Sequence, residues 1–283
     1  GVRADSPLPG GEGPGVRADS PLPGGEGPGV RASAARLWNS LGLHLRAVAD
    51  YAAARAAFER ALRIDEAVYG PEHPEVATNV NNLGVALQDL GDLAGARAAF
   101  ERALRIDEAV YGREHPDVAR DVNSLGLALW ALGDLAGAKA AFERALRILE
   151  KHLGEEHPDV ATAVNNLGLV LQALGDLAGA KACYERALRI DEAVYGREHP
   201  DVARDVNSLG LALWALGDLA GAKAAFERAL RILEKHLGEE HPDVATAVNN
   251  LGLVLQALGD LAGAKACYER ALRIDEAVYG REH

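Results

Sequence analysis

The 283-residue chain has few of the residues that most often carry chemistry or cross-links. It contains two cysteines, no methionine and only 5% aromatic residues. It also lacks an apolar run of the roughly 18 residues that a membrane-spanning helix needs, so we expect no membrane partner. The net charge of −12 argues against binding to nucleic acid or to an anionic membrane surface, because like charges repel.

What the sequence has instead is internal repetition. Residues 101–199 and 185–283 are identical, and their offset of 84 residues spans two copies of a 42-residue unit. A fixed period of this size indicates a solenoid built from stacked supersecondary units. Six copies align on a Leu-Gly dipeptide, at Leu41-Gly42, Leu83-Gly84, Leu125-Gly126, Leu167-Gly168, Leu209-Gly210 and Leu251-Gly252.

Each copy predicts two helices. The first has an apolar face at helical spacing, and Gly133-Asp134 then interrupts the pattern, with the aspartate suited to cap the second helix. Gly112 is a natural end for a second helix, and Pro116 occupies a position where a following first helix can begin. The small residues Gly126 and Ala138 are predicted to lie where the two helices cross closely.

The spacing of these small residues resembles that of a known repeat family. The first copy shows the pattern best, with Trp38, Leu41, Gly42, Leu45, Ala54, Phe58 and Ala61. This spacing resembles the tetratricopeptide repeat, and HEAT and armadillo repeats of similar period lack it. The segment ALRIDEAVYGREHPDVARDVNSLG further resembles the 42-residue repeats of kinesin light chains. The resemblance implies an all-α, right-handed superhelical solenoid of about six helix-turn-helix repeats that binds partners and catalyses no reaction.

Candidate chemical sites are sparse. Six histidines recur once per repeat, so they cannot converge on one metal ion, and we expect them to cap helices. Cys183 and Cys267 occupy equivalent positions 84 residues apart, too distant for a disulfide, and are expected to be half-buried. No phosphate-binding loop or nucleophile–base pair is recognisable, so we predict no catalytic residue, no metal site and no cofactor. The six histidines are His73, His115, His157, His199, His241 and His283.

The N-terminal segment has a different composition. Residues 1–14 and 15–28 are identical and rich in glycine and proline, which cannot build a packed core. We therefore divide the chain into a low-complexity tail, residues 1–31, and a repeat array, residues 32–283. The tail is either a passive linker or a segment that docks on protein, and Pro7, Pro9, Pro21 and Pro23 favour an extended conformation in it.

A binding surface is predicted on the first helices, which by resemblance line the concave face. Counting the Leu-Gly glycine as position 8, the candidate positions are 2, 5 and 12 of each repeat. Asparagine amides suit a peptide backbone, arginine suits a carboxylate and tryptophan offers a flat anchor. The candidates are Asn39, Asn81, Asn123, Asn165, Asn207 and Asn249 at position 5, Arg36, Arg120 and Arg204 at position 2, and Trp130, Trp214, Gln88, Gln172 and Gln256 at position 12.

Alternatives remain for both the asparagines and the function. The asparagines could instead bond to one another or to an adjacent helix and hold the superhelix together. The preferred function is a non-catalytic scaffold that binds a protein or peptide in the concave groove. The alternative is a structural protein that assembles with itself head to tail, with its tail docked on a neighbour, since matching repeat ends can generate open filaments.

Overall fold

The computed structural model describes residues 28–279, and within that range every regular element is an α-helix. This confirms the predicted all-α solenoid of six helix pairs. The predicted tail lies outside the described residues apart from residues 28–31, which form the start of the first helix. The helices are α1 (Pro28–Ala47), α2 (Tyr51–Tyr69), α3 (Pro74–Asp89), α4 (Leu93–Tyr111), α5 (Pro116–Ala131), α6 (Leu135–Leu153), α7 (Pro158–Ala173), α8 (Leu177–Tyr195), α9 (Pro200–Ala215), α10 (Leu219–Leu237), α11 (Pro242–Ala257) and α12 (Leu261–Tyr279).

The helix ends follow from local chemistry. The imidazole Nδ1 of His115 accepts a hydrogen bond from the backbone N–H of Asp117 at 3.2 Å, so this histidine caps α5. Four other histidines, His73, His157, His199 and His241, cap their helices in the same way, which confirms that prediction, while His283 lies outside the described residues. Asp134 caps α6 by accepting from Gly137 N–H at 2.9 Å. Gly133 has φ of 83°, a conformation that glycine adopts without strain.

The helices pack in chain order, and the array curves towards its first helices. Each helix packs on the next one, within a repeat and between repeats. Successive first helices from α3 to α11 also contact each other, whereas the second helices in the described range make no comparable contacts with each other. The first helices therefore lie on the inner face of the curve, as the resemblance implied.

An aromatic layer runs through every repeat. The Leu-Gly glycine of each first helix lies against an aromatic ring of the second, and a Cβ added at Gly126 would lie 2.7 Å from Phe142 Cε1. The same ring packs on a small residue of the following repeat, as Phe142 does with Val170 and Tyr184 with Ala212. This layer links all the repeats, because the ring–small-residue contact recurs at each junction between them.

An aliphatic layer is built differently from one junction to the next. Its largest clusters of buried residues span α5 to α8 and α9 to α12, and a smaller cluster spans α3 and α4. Leu149 and Ala163 meet inside the first large cluster, so we call α6–α7 and its equivalent α10–α11 the apolar junctions. The buried clusters stop at α4–α5 and α8–α9. We call these two the carboxyl junctions, because buried aspartates occupy the corresponding positions there.

Candidate functional site

Two equivalent cavities open between first helices on the inner face. The cavity between α5 and α7 has a volume of about 360 Å³, and the one between α9 and α11 about 570 Å³. Leu149 and Ala163 line the first cavity together with the polar residues Arg120, Asn123 and Thr162. The second has Leu233, Ala247, Arg204, Asn207 and Thr246 at the same places. Both cavities lie at apolar junctions, so they recur every two repeats.

The carboxylates beside these cavities give them an acidic edge. Asp117 and Asp159 line the first cavity, and Asp201 and Asp243 line the second. Each of them follows the proline that begins its helix, where a negative charge is favourable because it faces the positive end of the helix dipole. The lining therefore combines an apolar part with amide, hydroxyl and charged groups of both signs.

The predicted arginines line the cavities but already have internal partners. Arg120 approaches Asp107 at 3.3 Å, Asp121 at 3.4 Å and Asp117 at 3.6 Å. Its side chain is 43% exposed, so one side of the guanidinium faces solvent. Arg204 repeats the pattern with Asp191, Asp205 and Asp201, and Arg36 is exposed on α1. A ligand carboxylate would therefore compete with carboxylates of the protein for Arg120 and Arg204.

The predicted asparagines fall into two groups. Three of them bond across the junction to the next repeat: Asn123 Oδ1 accepts from Asn166 Nδ2 at 2.9 Å. The side-chain oxygens of two others, Asn81 and Asn165, are buried and have no hydrogen-bond partner, and Asn249 is exposed. The structural role that the sequence left open is therefore present in part, although it joins position 5 to position 6 rather than to another position 5. The other bonded pairs are Asn82 Nδ2 to Asn39 Oδ1 and Asn250 Nδ2 to Asn207 Oδ1.

The residues at position 12 also differ between repeats. Trp130 and Trp214 are 41% and 40% exposed, so each leaves part of its indole ring accessible. Gln172 and Gln256 accept hydrogen bonds from the hydroxyls of Tyr184 and Tyr268, at 3.3 and 2.9 Å. Gln88 is half-buried on α3. The tryptophans are therefore the position-12 residues with the largest accessible apolar surface.

Sequence inspection missed the buried aspartates at the carboxyl junctions. Asp121 and Asp205 are fully buried, and burial raises the pKa of Asp121 to about 8 and that of Asp205 to about 7. Burial also raises the pKa of their partners Asp107 and Asp191. A signal was present in the sequence, because Asp121 lies at helical spacing between Val118 and Val122 on a face that is otherwise apolar.

Other chemistry is sparse in the part of the chain that the structure describes. No group of three or more histidine, cysteine, aspartate or glutamate residues there is arranged to hold a metal ion. Cys183 and Cys267 are half-buried and not disulfide-bonded, as expected. Among residues 28–279, no helix has the length and apolar character needed to cross a membrane.

Comparison with known proteins identifies the repeat. The family model described as tetratricopeptide repeat matches residues 33–109, 75–151, 159–235 and 205–277, and a second model of the same description matches 123–194. The crystal structure of BtubC (BKLC) from P. vanneervenii is 28% identical, with a TM-score of 0.63, covering 83% of this chain and 92% of that one. A putative kinesin light chain from Podosopora anserina with nearly identical TPR-like repeats is 25% identical, with a TM-score of 0.60, covering 74% and 99% of the two chains.

More distant similarity concerns the fold alone. A Rap protein complexed with Competence and Sporulation Factor is 16% identical to this chain, with a TM-score of 0.62. The match covers 86% of this chain and 75% of the Rap chain. No protein of curated function matches the chain significantly.

Proposed function

Since the chain belongs to the tetratricopeptide repeat family, we propose that it is a non-catalytic scaffold that binds a peptide or helical segment of another protein on its inner face. One observation carries the proposal. The cavity beside Arg120 and Asn123 recurs beside Arg204 and Asn207, and each is accompanied by a partly exposed tryptophan on the same helix.

The chemistry of the inner face favours a particular kind of ligand segment. Leu149 and Ala163 can accept the apolar stem of a ligand side chain, while Asn123 and Thr162 offer hydrogen-bonding groups beside it. Asp159 adds negative charge at the edge, and the whole chain carries a net charge of −12. Because Arg120 is already paired with aspartates, the free charge of the cavity is negative. Lysine- or arginine-containing segments therefore suit this surface better than acidic ones.

Head-to-tail self-assembly stays the alternative. In its favour, Leu37 on α1 and Leu272 on α12 are 71% and 59% exposed at the two ends of the described array. Against it, if α1 of a second copy stacked on α12 in the register of the internal junctions, Leu37 of that copy would lie against Asp275. The five internal junctions pair aspartate with a polar residue or leucine with alanine, so this pairing would bury an unpartnered carboxylate. Sedimentation of the chain at high concentration, with and without residues 1–28, tests this alternative.

The test of partner binding begins with a ligand selected on the intact chain. A random peptide library displayed on phage supplies the probe, and the affinity of the selected peptide is measured by calorimetry. Replacing Trp130 and Trp214 together with alanine should weaken binding by about 2 kcal/mol or more, roughly 30-fold, if the indoles are anchors. The matched control replaces Val110 and Val194, which are equally spaced and exposed on second helices.

Two outcomes would contradict the proposal. Unchanged affinity in the tryptophan variant would remove the anchors from the binding surface. An equal loss in the valine control would place the ligand on the outer helices instead. Comparable enrichment of acidic and basic peptides would contradict the charge preference alone.

A further inference from the structure

The two carboxyl junctions separate units that are apolar inside. The helices α5 to α8 and α9 to α12 each share one aliphatic cluster, and we call them the two-repeat modules. Asp107 and Asp121 meet where the first module joins α4, and Asp191 and Asp205 meet where the second joins the first. We infer that each aspartate pair holds one proton in the folded protein and releases it as the pH rises, which makes the carboxyl junctions pH-sensitive joints.

The burial and proximity of the two carboxyl groups in each pair favour binding of one proton between them. Asp121 is 0% exposed and Asp107 is 1% exposed, so water cannot solvate two charges there. The two carboxyl groups are neighbours, because Arg120 Nη2 lies 3.3 Å from Asp107 Oδ2 and 3.4 Å from Asp121 Oδ1. Two buried carboxyl groups side by side are favourable only if one of them is protonated and can donate. Asp107 Oδ1 and Asp121 Oδ2 have no hydrogen-bond partner among the other groups of the protein. A proton shared by the pair would remove one buried charge and convert a repulsion into a hydrogen bond.

The first junction of the array has an aspartate–asparagine pair where the carboxyl junctions have two aspartates. Asp65 and Asn79 occupy the same positions as Asp107 and Asp121, and Asn79 Nδ2 donates to Asp65 Oδ2 at 2.6 Å. An asparagine amide has nearly the shape of a protonated aspartate and likewise presents a donor. This position of the repeat therefore accommodates one anionic acceptor with one neutral donor.

The charged groups around the pairs do not supply a full counter-charge. The guanidinium of Arg120 contacts both carboxyl groups of the first pair, but it also contacts Asp117. One positive charge thus faces three carboxylates. The remaining neighbours are His115 at the start of α5, Tyr111 and Glu108 on α4, Glu75 on α3, and Arg144 on α6, which pairs with Glu108 at 2.5 Å. The second pair has Arg204, Asp201 and His199 from α9, Tyr195 and Glu192 from α8, Asp159 from α7, and Arg228 from α10, which pairs with Glu192 at 2.5 Å.

The direction of the pH effect follows from linkage. Burial raises the pKa of Asp121 and Asp205 into the neutral range, whereas an unfolded aspartate has a pKa of about 3.9. Between about pH 4 and the raised values, the folded chain binds protons that the unfolded chain does not. Stability from this source is therefore fully present below about pH 4 and is lost as the pH rises to about 8. Each pair changes the unfolding equilibrium constant by up to about tenfold per pH unit in this range.

The test compares the chain with a variant carrying Asp121→Asn and Asp205→Asn, which reproduces the Asp65–Asn79 arrangement at both carboxyl junctions. Urea unfolding of each is followed by circular dichroism from pH 5 to pH 9. The unfolding constant of the unaltered chain should rise relative to that of the variant by up to about a hundredfold per pair between pH 5 and pH 7. Parallel pH profiles for the two proteins would overturn the inference.

Two further measurements do not depend on how well the asparagine variant folds. Infrared spectroscopy of the unaltered chain at pH 6 should show a protonated-carboxyl C=O band that disappears at pH 9, and its absence at pH 6 would overturn the inference. The single variant Asn79→Asp creates a third aspartate pair with Asp65 and should steepen the pH dependence of unfolding. An unchanged slope in Asn79→Asp would also count against proton binding by such pairs.

Discussion

The carboxyl and apolar junctions have the same backbone arrangement but opposite chemistry at their centres. At α4–α5 the second and first helices meet through Asp107 and Asp121, whereas at α6–α7 they meet through Leu149 and Ala163. The aromatic layer crosses both types of junction, with Phe100 on Ala128 at the first and Phe142 on Val170 at the second. The aromatic layer is therefore common to both junction types, whereas the centre of the aliphatic layer differs between them.

The two junction types also divide the possible functions between them. The inner-face cavities lie at the apolar junctions, where Leu149 and Ala163 line the space between successive first helices. At the carboxyl junctions the aspartate pair occupies the centre, and Arg120 contacts this pair while also lining the neighbouring cavity. The proposed ligand-binding cavities and the proposed pH-sensitive joints therefore alternate along the array, each recurring every two repeats.

The largest expected effect comes from converting an apolar junction into half of a carboxyl junction. Leu149→Asp would bury a carboxylate opposite Ala163, with Thr162 in place of an arginine at position 2. An unpartnered buried charge should cost about 3–5 kcal/mol of unfolding free energy, measured by urea unfolding at pH 7. Leu149→Asn is the matched neutral variant, and equal costs for the two would show that charge burial is not the cause.

A compensating substitution sharpens this comparison. Adding Ala163→Asn to Leu149→Asp recreates the Asp65–Asn79 pairing at the apolar junction. The amide-to-carboxylate hydrogen bond should recover about 1.5–3 kcal/mol of the loss. A further decrease in stability on adding Ala163→Asn would mean that the two junction types differ in backbone geometry as well as in chemistry.

An intermediate effect is expected in the aromatic layer. A Cβ at Gly126 or at Gly168 would lie 2.7 or 2.6 Å from the ring of Phe142 or Tyr184, so leucine at either position overpacks the helix crossing. The cost should be at the upper end of about 1–3 kcal/mol, or beyond. One ring spans an apolar junction and the other a carboxyl junction. The two costs should nevertheless be similar, because the aromatic layer is built in the same way at both. A neutral result in urea unfolding would show that the crossing tolerates side chains.

The smallest effect concerns the turn inside each repeat, which lies outside both layers. Ala49 has φ of 60°, where the later repeats have glycine, for example Gly133 with φ of 83°. Because a left-handed conformation strains a residue with a Cβ, Ala49→Gly should stabilise the chain by about 1 kcal/mol. Gly133→Ala should destabilise it by a similar amount. Thermal unfolding would measure both, and a destabilising Ala49→Gly would contradict the strain argument.

Most of the fold could be predicted from the sequence because its causes are local or repeated. The 42-residue period, the small residues at helix crossings and the Gly-Asp turns together predict six helix pairs. The capping histidines could also be predicted, because the cap and the proline that starts the helix are adjacent in the chain. Position 2 was expected on the inner face by resemblance to the family, and the cavities there are lined by Arg120 and Arg204, with Thr162 and Thr246 at the same position of the other repeats.

The partners of these residues were decided only by the tertiary structure. Asn123 bonds to Asn166, and Asp107 meets Asp121, because packing brings together positions that are 43 or 14 residues apart. Arg120 could be placed on the inner face from the sequence, but its contacts with internal carboxylates depend on burial at the junction. The sequence by itself determined the repeat, its helices and their orientation. The charge state of each junction required the three-dimensional contacts, since the energy of a carboxylate depends on how much water and which neighbours surround it.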